Sequence, residues 1–178
     1  MATHDPSDAL PRPEFDRPVR VLIVIAPFYR EIAGHLLAGA RASLDAAGVS
    51  HETVEVPGAL EIPTAIALAE RTKKYDGYVA LGCVIRGETT HYDTVCNDSS
   101  RGITLLGLRE ICIGNGILTV ENEAQALARA IPDEMNKGGG AADACLHLIA
   151  LSRMFPVPPR PLPEGSILMA GDQNRDTA

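Results

Sequence analysis

The chain has 178 residues, of which 46% are hydrophobic, and this composition fits one globular domain with a sizeable core. Its formal net charge of −7 argues against nucleic acid as the main partner, because phosphate backbones attract clustered Lys and Arg. We therefore expect its partners to be small molecules and other copies of the same chain.

The cysteine and hydropathy patterns bear on location. The four cysteines are scattered without a CxxC pair, and no secretory hydrophobic segment is apparent at the N-terminus. This indicates neither a disulfide framework nor a zinc site and predicts reduced thiols in the cytoplasm. The longest apolar stretches fall short of the ~20 residues that span a bilayer, so we expect no membrane association.

Both ends of the chain are expected to be extended. Residues 1–18 carry four prolines among charges, which suits a flexible arm that cannot bury enough apolar surface to order itself. Residues 156–178 form a tail whose prolines favour polyproline II. The folded domain is therefore predicted to span residues 19–155.

Strand and helix signals alternate between these ends. A β-branched run predicts a strand over 19–25, and apolar residues at helical spacing predict a helix over 31–47 that Gly48 ends. Strands that alternate with helices indicate an α/β fold with a four-stranded parallel sheet between helix layers. Three further strands are predicted at 51–56, 77–85 and 111–119. Four further helices are predicted at 59–74, 93–108, 122–130 and 139–155.

Two of these elements carry more specific expectations. The strand over 111–119 contains Gly114 and Gly116, so we expect part of it to be irregular or closely approached by another segment. The last helix should bury one apolar stripe. Its predicted members are Ala141, Ala144, Cys145, Leu148 and Leu151.

The segment 82–92 carries the strongest functional signal. An apolar strand, expected to be covered on both faces, ends in a polar turn that begins with Gly87 and leads to His91. Ligands collect at such strand ends in open parallel sheets. A glycine-containing turn at a helix start can hold an anion, and histidine can transfer protons near neutral pH. The segment therefore predicts a small-anion site beside a proton-transfer group.

Four motifs together resemble the lumazine synthase family. They are VPGALEIP (56–63), GCVIRGETTHYD (82–93), GILTVEN (116–122) and NKG (136–138), in the order and spacing of that family. The resemblance covers about residues 19–155 and implies a flavodoxin-like three-layer αβα sandwich. It implies a transferase of riboflavin biosynthesis that condenses 5-amino-6-(D-ribitylamino)uracil with 3,4-dihydroxy-2-butanone 4-phosphate. The products would be 6,7-dimethyl-8-ribityllumazine, phosphate and water, with no metal or organic cofactor.

The resemblance also implies roles for individual residues. His91 would transfer protons, and Phe28 would stack on the pyrimidine ring of the substrate. Main-chain groups of 57–61 would bind the ribityl hydroxyls. The substrate-binding group would further include Ala59, Leu60, Glu61, Cys83, Val84, Ile85, Asn115 and Lys137. The phosphate-binding group would comprise Gly87, Glu88, Thr89, Thr90 and Arg129, with Arg129 supplied by another subunit.

Simpler interpretations exist for several of these residues. Glu61 can be an acidic residue that the helix dipole favours in a first turn, and Lys137, beside three glycines, can belong to an exposed loop. An isolated histidine more often caps a helix or lies in a core. For Glu88 we expect the main chain to serve the phosphate, while the carboxylate points outward or pairs with a cation such as Arg86.

Two positions depart from the pattern of the family. Leu60 replaces a common aromatic residue, and Asn115 replaces a phenylalanine that many relatives supply from the neighbouring subunit. These changes leave open an alternative, a paralogue that holds riboflavin or a related flavin without turnover. A generic flavodoxin-like phosphate-binding or signalling domain lacks support, because the acidic cluster and lysine of a phosphoacceptor receiver are not apparent.

The resemblance implies a homo-oligomer with active sites between adjacent subunits. Its basic unit would be a pentamer, and some members of the family assemble twelve pentamers into a shell. Residues 131–136 lack the Gly-Thr-Lys-Ala-Gly-Asn type of connection common in shell formers. We therefore expect free pentamers.

Overall fold

A central parallel sheet organises the computed structural model, which describes residues 10–155. Its strand order is β2-β1-β3-β4. The four strands are β1 (Arg20–Ile25), β2 (Ser50–Glu55), β3 (Gly77–Ile85) and β4 (Ile113–Val120). Strand β3 pairs on both sides, and its first seven residues are buried, as its continuous apolar run predicts. The proline-rich tail predicted at 156–178 lies outside the described residues.

Helices cover both faces of the sheet. They are α1 (Arg30–Ala46), α2 (Glu61–Glu70), α3 (His91–Gly107), α4 (Glu123–Ala130) and α5 (Lys137–Met154). Helices α1, α4 and α5 pack together over one face, and α2 and α3 pack over the other, each layer with its own apolar core. The predicted three-layer αβα sandwich is confirmed. Over residues 10–155, no helix combines the length and apolar character needed to cross a membrane.

Helix α1 shows how the sequence pattern sets the packing. Leu36, Ala40 and Leu44 recur at helical spacing, and all three are fully buried against the sheet. Gly48 then adopts φ 66°, a left-handed conformation that glycine tolerates at a helix end. The chain turns there and enters β2, as the glycine predicts.

Several helix boundaries differ from the sequence-based expectation, and two of these differences bear on the fold and the site. Helix α2 ends at Glu70 instead of residue 74, because the hydroxyl of Thr72 donates to the Ala69 carbonyl at 2.7 Å and Lys73 adopts φ 50°. A side chain that bonds a nearby carbonyl offers the backbone an alternative to the helix. Helix α3 begins at His91, two residues earlier than expected, which places the histidine in its first turn.

The expected buried stripe of α5 is partly wrong. Ala141 and Cys145 are buried, but Ala144, Leu148 and Leu151 are exposed. The buried positions are instead completed by Ala142, Leu146 and Ile149. Apolar residues follow both sides of α5, so their spacing alone does not choose a face. A close contact chooses it: a Cβ added to Gly138 would lie 2.0 Å from the Leu36 carbonyl oxygen, which fixes the rotation of α5 against α1.

Strand β4 is regular, and the close approach expected there occurs at Gly114. A Cβ at this position would lie 1.8 Å from the carbonyl oxygen of Ala141 on α5. Only a residue without a side chain allows the helix backbone to come so near the strand. Gly114 therefore sets the distance between α5 and the sheet.

We expect Gly114→Ala to lower the free energy of unfolding by about 1–3 kcal/mol or more, because α5 must shift to admit the methyl group. Gly34→Ala is the matched control, since Gly34 is exposed in α1 and a Cβ there meets nothing within 4 Å. The control should raise stability by about 0.5–1 kcal/mol. Urea denaturation at one fixed protein concentration measures both, and similar midpoints for the two variants would contradict this account.

Candidate active site

A cleft of about 420 Å³ opens at the carboxyl ends of β1, β2 and β3. Strand β1 lies between the other two, and the helices that follow β1 and β2 leave toward opposite faces of the sheet. A parallel sheet forms a crevice where its connections diverge in this way. The cleft is therefore a direct product of the strand order.

The end of β1 supplies an aromatic wall. Phe28 lines the cleft and remains 73% exposed, so its ring is open to a flat ligand. Its neighbour Tyr29, also in the wall, meets it edge to face with ring centroids 5.1 Å apart. The two rings therefore pack against each other in this wall, and most of the Phe28 side chain stays accessible.

The end of β2 contributes the turn Pro57–Glu61. Ala59 is buried and Leu60 is 37% exposed, and both line the cleft. A Cβ added to Gly58 would lie 3.0 Å from Oε2 of Glu61, so this carboxylate folds back beside the glycine. The Glu61 N–H also donates to the Gly58 carbonyl at 3.2 Å. The turn thus presents a carboxylate and main-chain groups together, an arrangement that can bind hydroxyls.

The end of β3 lines the cleft with Cys83, Val84 and Ile85. Burial raises the pKa of the Cys83 thiol to about 11, so this side chain is a protonated thiol at neutral pH. The thiolate is the nucleophilic form of cysteine. The structure therefore gives Cys83 the character of a wall residue.

The turn after β3 brings Gly87, Thr89 and His91 to the cleft. A Cβ on Gly87 would meet nothing within 4 Å, so its lack of a side chain leaves open space beside the turn. Helix α3 starts here without a side-chain cap, and the His91 N–H makes only a long bond of 3.4 Å to Oγ1 of Thr89. Helix N–H groups that lack internal partners favour anions.

Arg86 does not pair with Glu88. Its Nε bonds Oε2 of Glu121 at 2.9 Å, and its Nη1 lies 3.4 Å from Oδ1 of Asp93. The bond to Glu121 raises the pKa of the Arg86 guanidinium. These carboxylates come from the end of β4 and from α3.

Five of the expected site residues lie outside the cleft of their own subunit. Glu88 and Thr90 belong to the turn but do not line the cleft, and Lys137 begins α5 as an exposed residue. Arg129 on α4 donates from Nη1 to the Gln125 carbonyl at 2.9 Å. Asn115 is exposed on β4, where its Oδ1 accepts from the Ile117 N–H at 3.0 Å. One subunit therefore assembles only part of the expected site.

Four residues that line the cleft were missed by the sequence analysis: Ala26, Tyr29, Tyr92 and Val95. Tyr92 and Val95 follow His91 by one and four residues, so the helical repeat of α3 could have indicated them. Ala26 and Tyr29 flank the aromatic position after β1. The described chain holds no group of three or more His, Cys, Asp or Glu side chains placed to bind a metal ion.

Comparison with known proteins addresses identity. The profile of the 6,7-dimethyl-8-ribityllumazine synthase family matches residues 18–153. A 6,7-dimethyl-8-ribityllumazine synthase from Jannaschia sp. (strain CCS1) is 57% identical over 173 residues, covering 96% of this chain and 97% of the relative. The enzymes of that name from Sphingopyxis alaskensis and Methylobacterium radiotolerans are 59% and 54% identical, covering 76% and 86% of this chain and 96% of each relative.

The matched region contains all the strands and lining residues of the cleft described above, from Ala26 to Val95. The similarity also extends over nearly the whole length of these relatives. The chain therefore belongs to the 6,7-dimethyl-8-ribityllumazine synthase family, whose members are transferases of riboflavin biosynthesis.

Proposed function

We propose that the cleft at the ends of β1, β2 and β3 is where this chain performs the condensation of its family. The reaction joins 5-amino-6-(D-ribitylamino)uracil to 3,4-dihydroxy-2-butanone 4-phosphate and yields 6,7-dimethyl-8-ribityllumazine. One observation carries the placement: an open aromatic ring, a turn suited to hydroxyls and an uncapped helix start with a histidine all line one cleft.

The uracil substrate fits the aromatic side of the cleft. We place its ring on Phe28, with the main chain of residues 83–85 along the ring edge, since strand ends offer N–H and C=O groups. Cys83, Val84 and Ile85 then act through the backbone. The ribityl chain lies toward Ala59, Leu60 and Glu61, where the carboxylate beside Gly58 accepts hydrogen bonds from its hydroxyl groups.

The phosphate of the second substrate fits the turn after β3. Its ligands would be the main chain and hydroxyls of Gly87, Glu88, Thr89 and Thr90, at the start of α3. His91 follows directly and would move protons as the amine adds to the ketone, phosphate leaves, and the ring closes with loss of water. These steps require a group that both accepts and donates protons, which histidine can do.

The phosphate needs a cation that one subunit does not provide. No Lys or Arg belongs to the walls of the cleft as the described residues form them. A phosphate dianion without a cation binds weakly compared with one held by a guanidinium fork. We therefore propose that Arg129 comes from a neighbouring subunit, and that Asn115 and Lys137 also act across that boundary.

This arrangement requires a homo-oligomer, and we propose a free pentamer. We further propose residues 19–155 as the catalytic domain, between the arm 1–18 and the tail 156–178. The four cysteines are free, which supports a cytoplasmic location, where thiols stay reduced. The proposed reaction needs no metal or organic cofactor.

The direct test mixes the purified protein with both substrates and follows lumazine formation by absorbance. We expect a protein-dependent rate above the uncatalysed background. A folded oligomer that gives no such rate but retains bound yellow flavin would instead identify the non-catalytic paralogue.

We expect His91→Ala to lower kcat by about 100-fold with little change in KM, because a general acid–base group acts mainly in the transition state. Arg129→Ala should instead raise KM for the butanone phosphate by about 10- to 100-fold, the worth of a charge-assisted hydrogen bond. Steady-state kinetics with each substrate varied separates the two effects. Losses in the same parameter for both variants would contradict these roles.

The Gly87→Ala variant should fold normally, since a Cβ there meets nothing within 4 Å. It should bind inorganic phosphate several-fold more weakly than the wild type, because the new methyl group would occupy the open space beside the turn. Gly107→Ala, at the other end of α3, is the matched control, since a Cβ there also meets nothing within 4 Å. Isothermal titration with phosphate measures both. Equal affinities for the two variants and the wild type would argue against a phosphate at this turn.

The oligomer is tested by light scattering coupled to gel filtration. We expect a particle of about five times the 18.9 kDa subunit mass, because the site needs residues from two adjacent subunits. A particle about twelve times larger again would indicate a shell, and a monomer with full activity would exclude the shared site.

A further inference from the structure

Arg86 is the centre of a cluster of charged and aromatic side chains beside the cleft, formed by Arg86, Tyr92, Asp93 and Glu121. Arg86 is the first residue after β3, and Glu121 is the first after β4. The Arg86 N–H continues the pairing of these strands by donating to the Val120 carbonyl at 2.9 Å. The two side chains thus start from neighbouring, fixed points of the sheet.

One guanidinium contacts all three partners. Its Nε lies 2.9 and 3.2 Å from the two carboxylate oxygens of Glu121, and its Nη1 lies 3.4 Å from Oδ1 of Asp93. Its central carbon lies 4.0 Å from the centroid of the Tyr92 ring. A planar, multiply donating cation can stack and form hydrogen bonds at the same time, whereas an ammonium group cannot reproduce both.

These contacts connect the two ends of the turn 87–91. Arg86 precedes the turn, and Tyr92 and Asp93 follow it in the first turn of α3. Within residues 10–155, the hydrogen bonds of the turn itself are local: Thr89 accepts from the His91 N–H, and Thr90 accepts from the N–H groups of residues 93 and 94. The turn is therefore fixed to the sheet mainly through the cluster and its own chain ends.

The charge of the cluster bears on its role. Arg86 faces the carboxylates of both Glu121 and Asp93, so the cluster has a formal charge of −1. A guanidinium whose charge is already opposed by two carboxylates is a poor ligand for a phosphate dianion. Its contacts suit it to hold a segment in place.

We propose that Arg86 and Glu121 together fix the turn 87–91, and that Arg86 is a positioning residue for His91. This inference deepens the proposed function and rests on its assignment of His91 to proton transfer. A catalytic group displaced by about 1 Å can lose about 100-fold in rate, so the geometry of this turn matters for turnover.

The variants that test the inference are Arg86→Met, Arg86→Lys, Glu121→Gln and the double variant Arg86→Met with Glu121→Gln. Arg101→Met is the matched control, because Arg101 also pairs with a carboxylate on α3, Asp98 at 3.2 Å, outside the cluster. Each purified oligomer is compared by kcat and KM, by titration with inorganic phosphate, and by hydrogen exchange of the amides of residues 87–92.

We expect Arg86→Met and Glu121→Gln each to lower kcat by about 10-fold and to accelerate exchange in residues 87–92, since either change releases the turn. The double variant should be no worse than Arg86→Met alone, because Arg86→Met already removes the interaction that Glu121→Gln weakens. Arg86→Lys should restore little of the kcat lost in Arg86→Met, because an ammonium group cannot both stack on Tyr92 and bond the carboxylates. Arg101→Met should have the kcat and the exchange rates of the wild type.

If Arg86 instead bound the phosphate directly, Glu121→Gln would change the phosphate affinity in a different way. Removing the Glu121 charge would then free the guanidinium and tighten phosphate binding, whereas Arg86→Met would weaken it. That result, or additive effects in the double variant, would overturn the positioning role. Because Glu121→Gln is nearly isosteric, it decides the question even if Arg86→Met fails to fold.

The exchange measurement also separates this inference from the proposed function. If His91→Ala leaves kcat unchanged, the assignment of His91 fails. Faster exchange of residues 87–92 in both single variants would still support the fixing of the turn. If hydrogen exchange of residues 87–92 is unchanged in both single variants, the proposal that Arg86 and Glu121 fix the turn is overturned, whatever the kinetics show.

Discussion

The pairing of β3 with β1 and β4 is the constraint on which the rest of the structure depends. It buries a continuous apolar strand at the centre of the sheet and aligns the carboxyl ends of its neighbours at one edge. The segments that leave this edge, with Phe28, Glu61 and His91, must then share one crevice. The residues proposed for the reaction thus lie in short turns whose positions the sheet dictates.

The same arrangement leaves Arg129, Asn115 and Lys137 outside the cleft of their own subunit. Groups that suit a heterocycle, a polyol and a histidine-assisted proton transfer lie together, whereas Arg129 lies on α4, over the opposite face of the sheet from α3. Under the proposed sharing, activity depends on assembly, because a separated subunit would lack Arg129, Asn115 and Lys137 at its cleft. Selection on the reaction then also acts on the subunit boundary.

Much of the fold could be predicted from the sequence. The continuous apolar run of β3 is typical of a strand buried on both faces, and Gly48 follows a helical pattern at the point where a left-handed residue ends a helix. The buried face of α5 could not be predicted, because apolar residues follow both of its sides and a backbone contact at Gly138 makes the choice. In the cleft, the residues of the motifs at strand ends lie together, as those motifs suggest for the ends of parallel strands. Tyr29 and Tyr92 adjoin Phe28 and His91 but were not among the residues that the resemblance implies for the site. Of the two positions considered for the Glu88 carboxylate, pairing with Arg86 does not occur, because Arg86 binds Glu121, which is distant in sequence.

The buried thiol of Cys83 has a consequence for inhibitor chemistry. With its pKa raised to about 11 by burial, the Cys83 thiol stays protonated at pH 7. Oxidants and electrophilic warheads react with the thiolate, so they should modify this wall of the cleft slowly. Ligands for this cleft would therefore have to rely on stacking and hydrogen bonds, and covalent capture at Cys83 would add little.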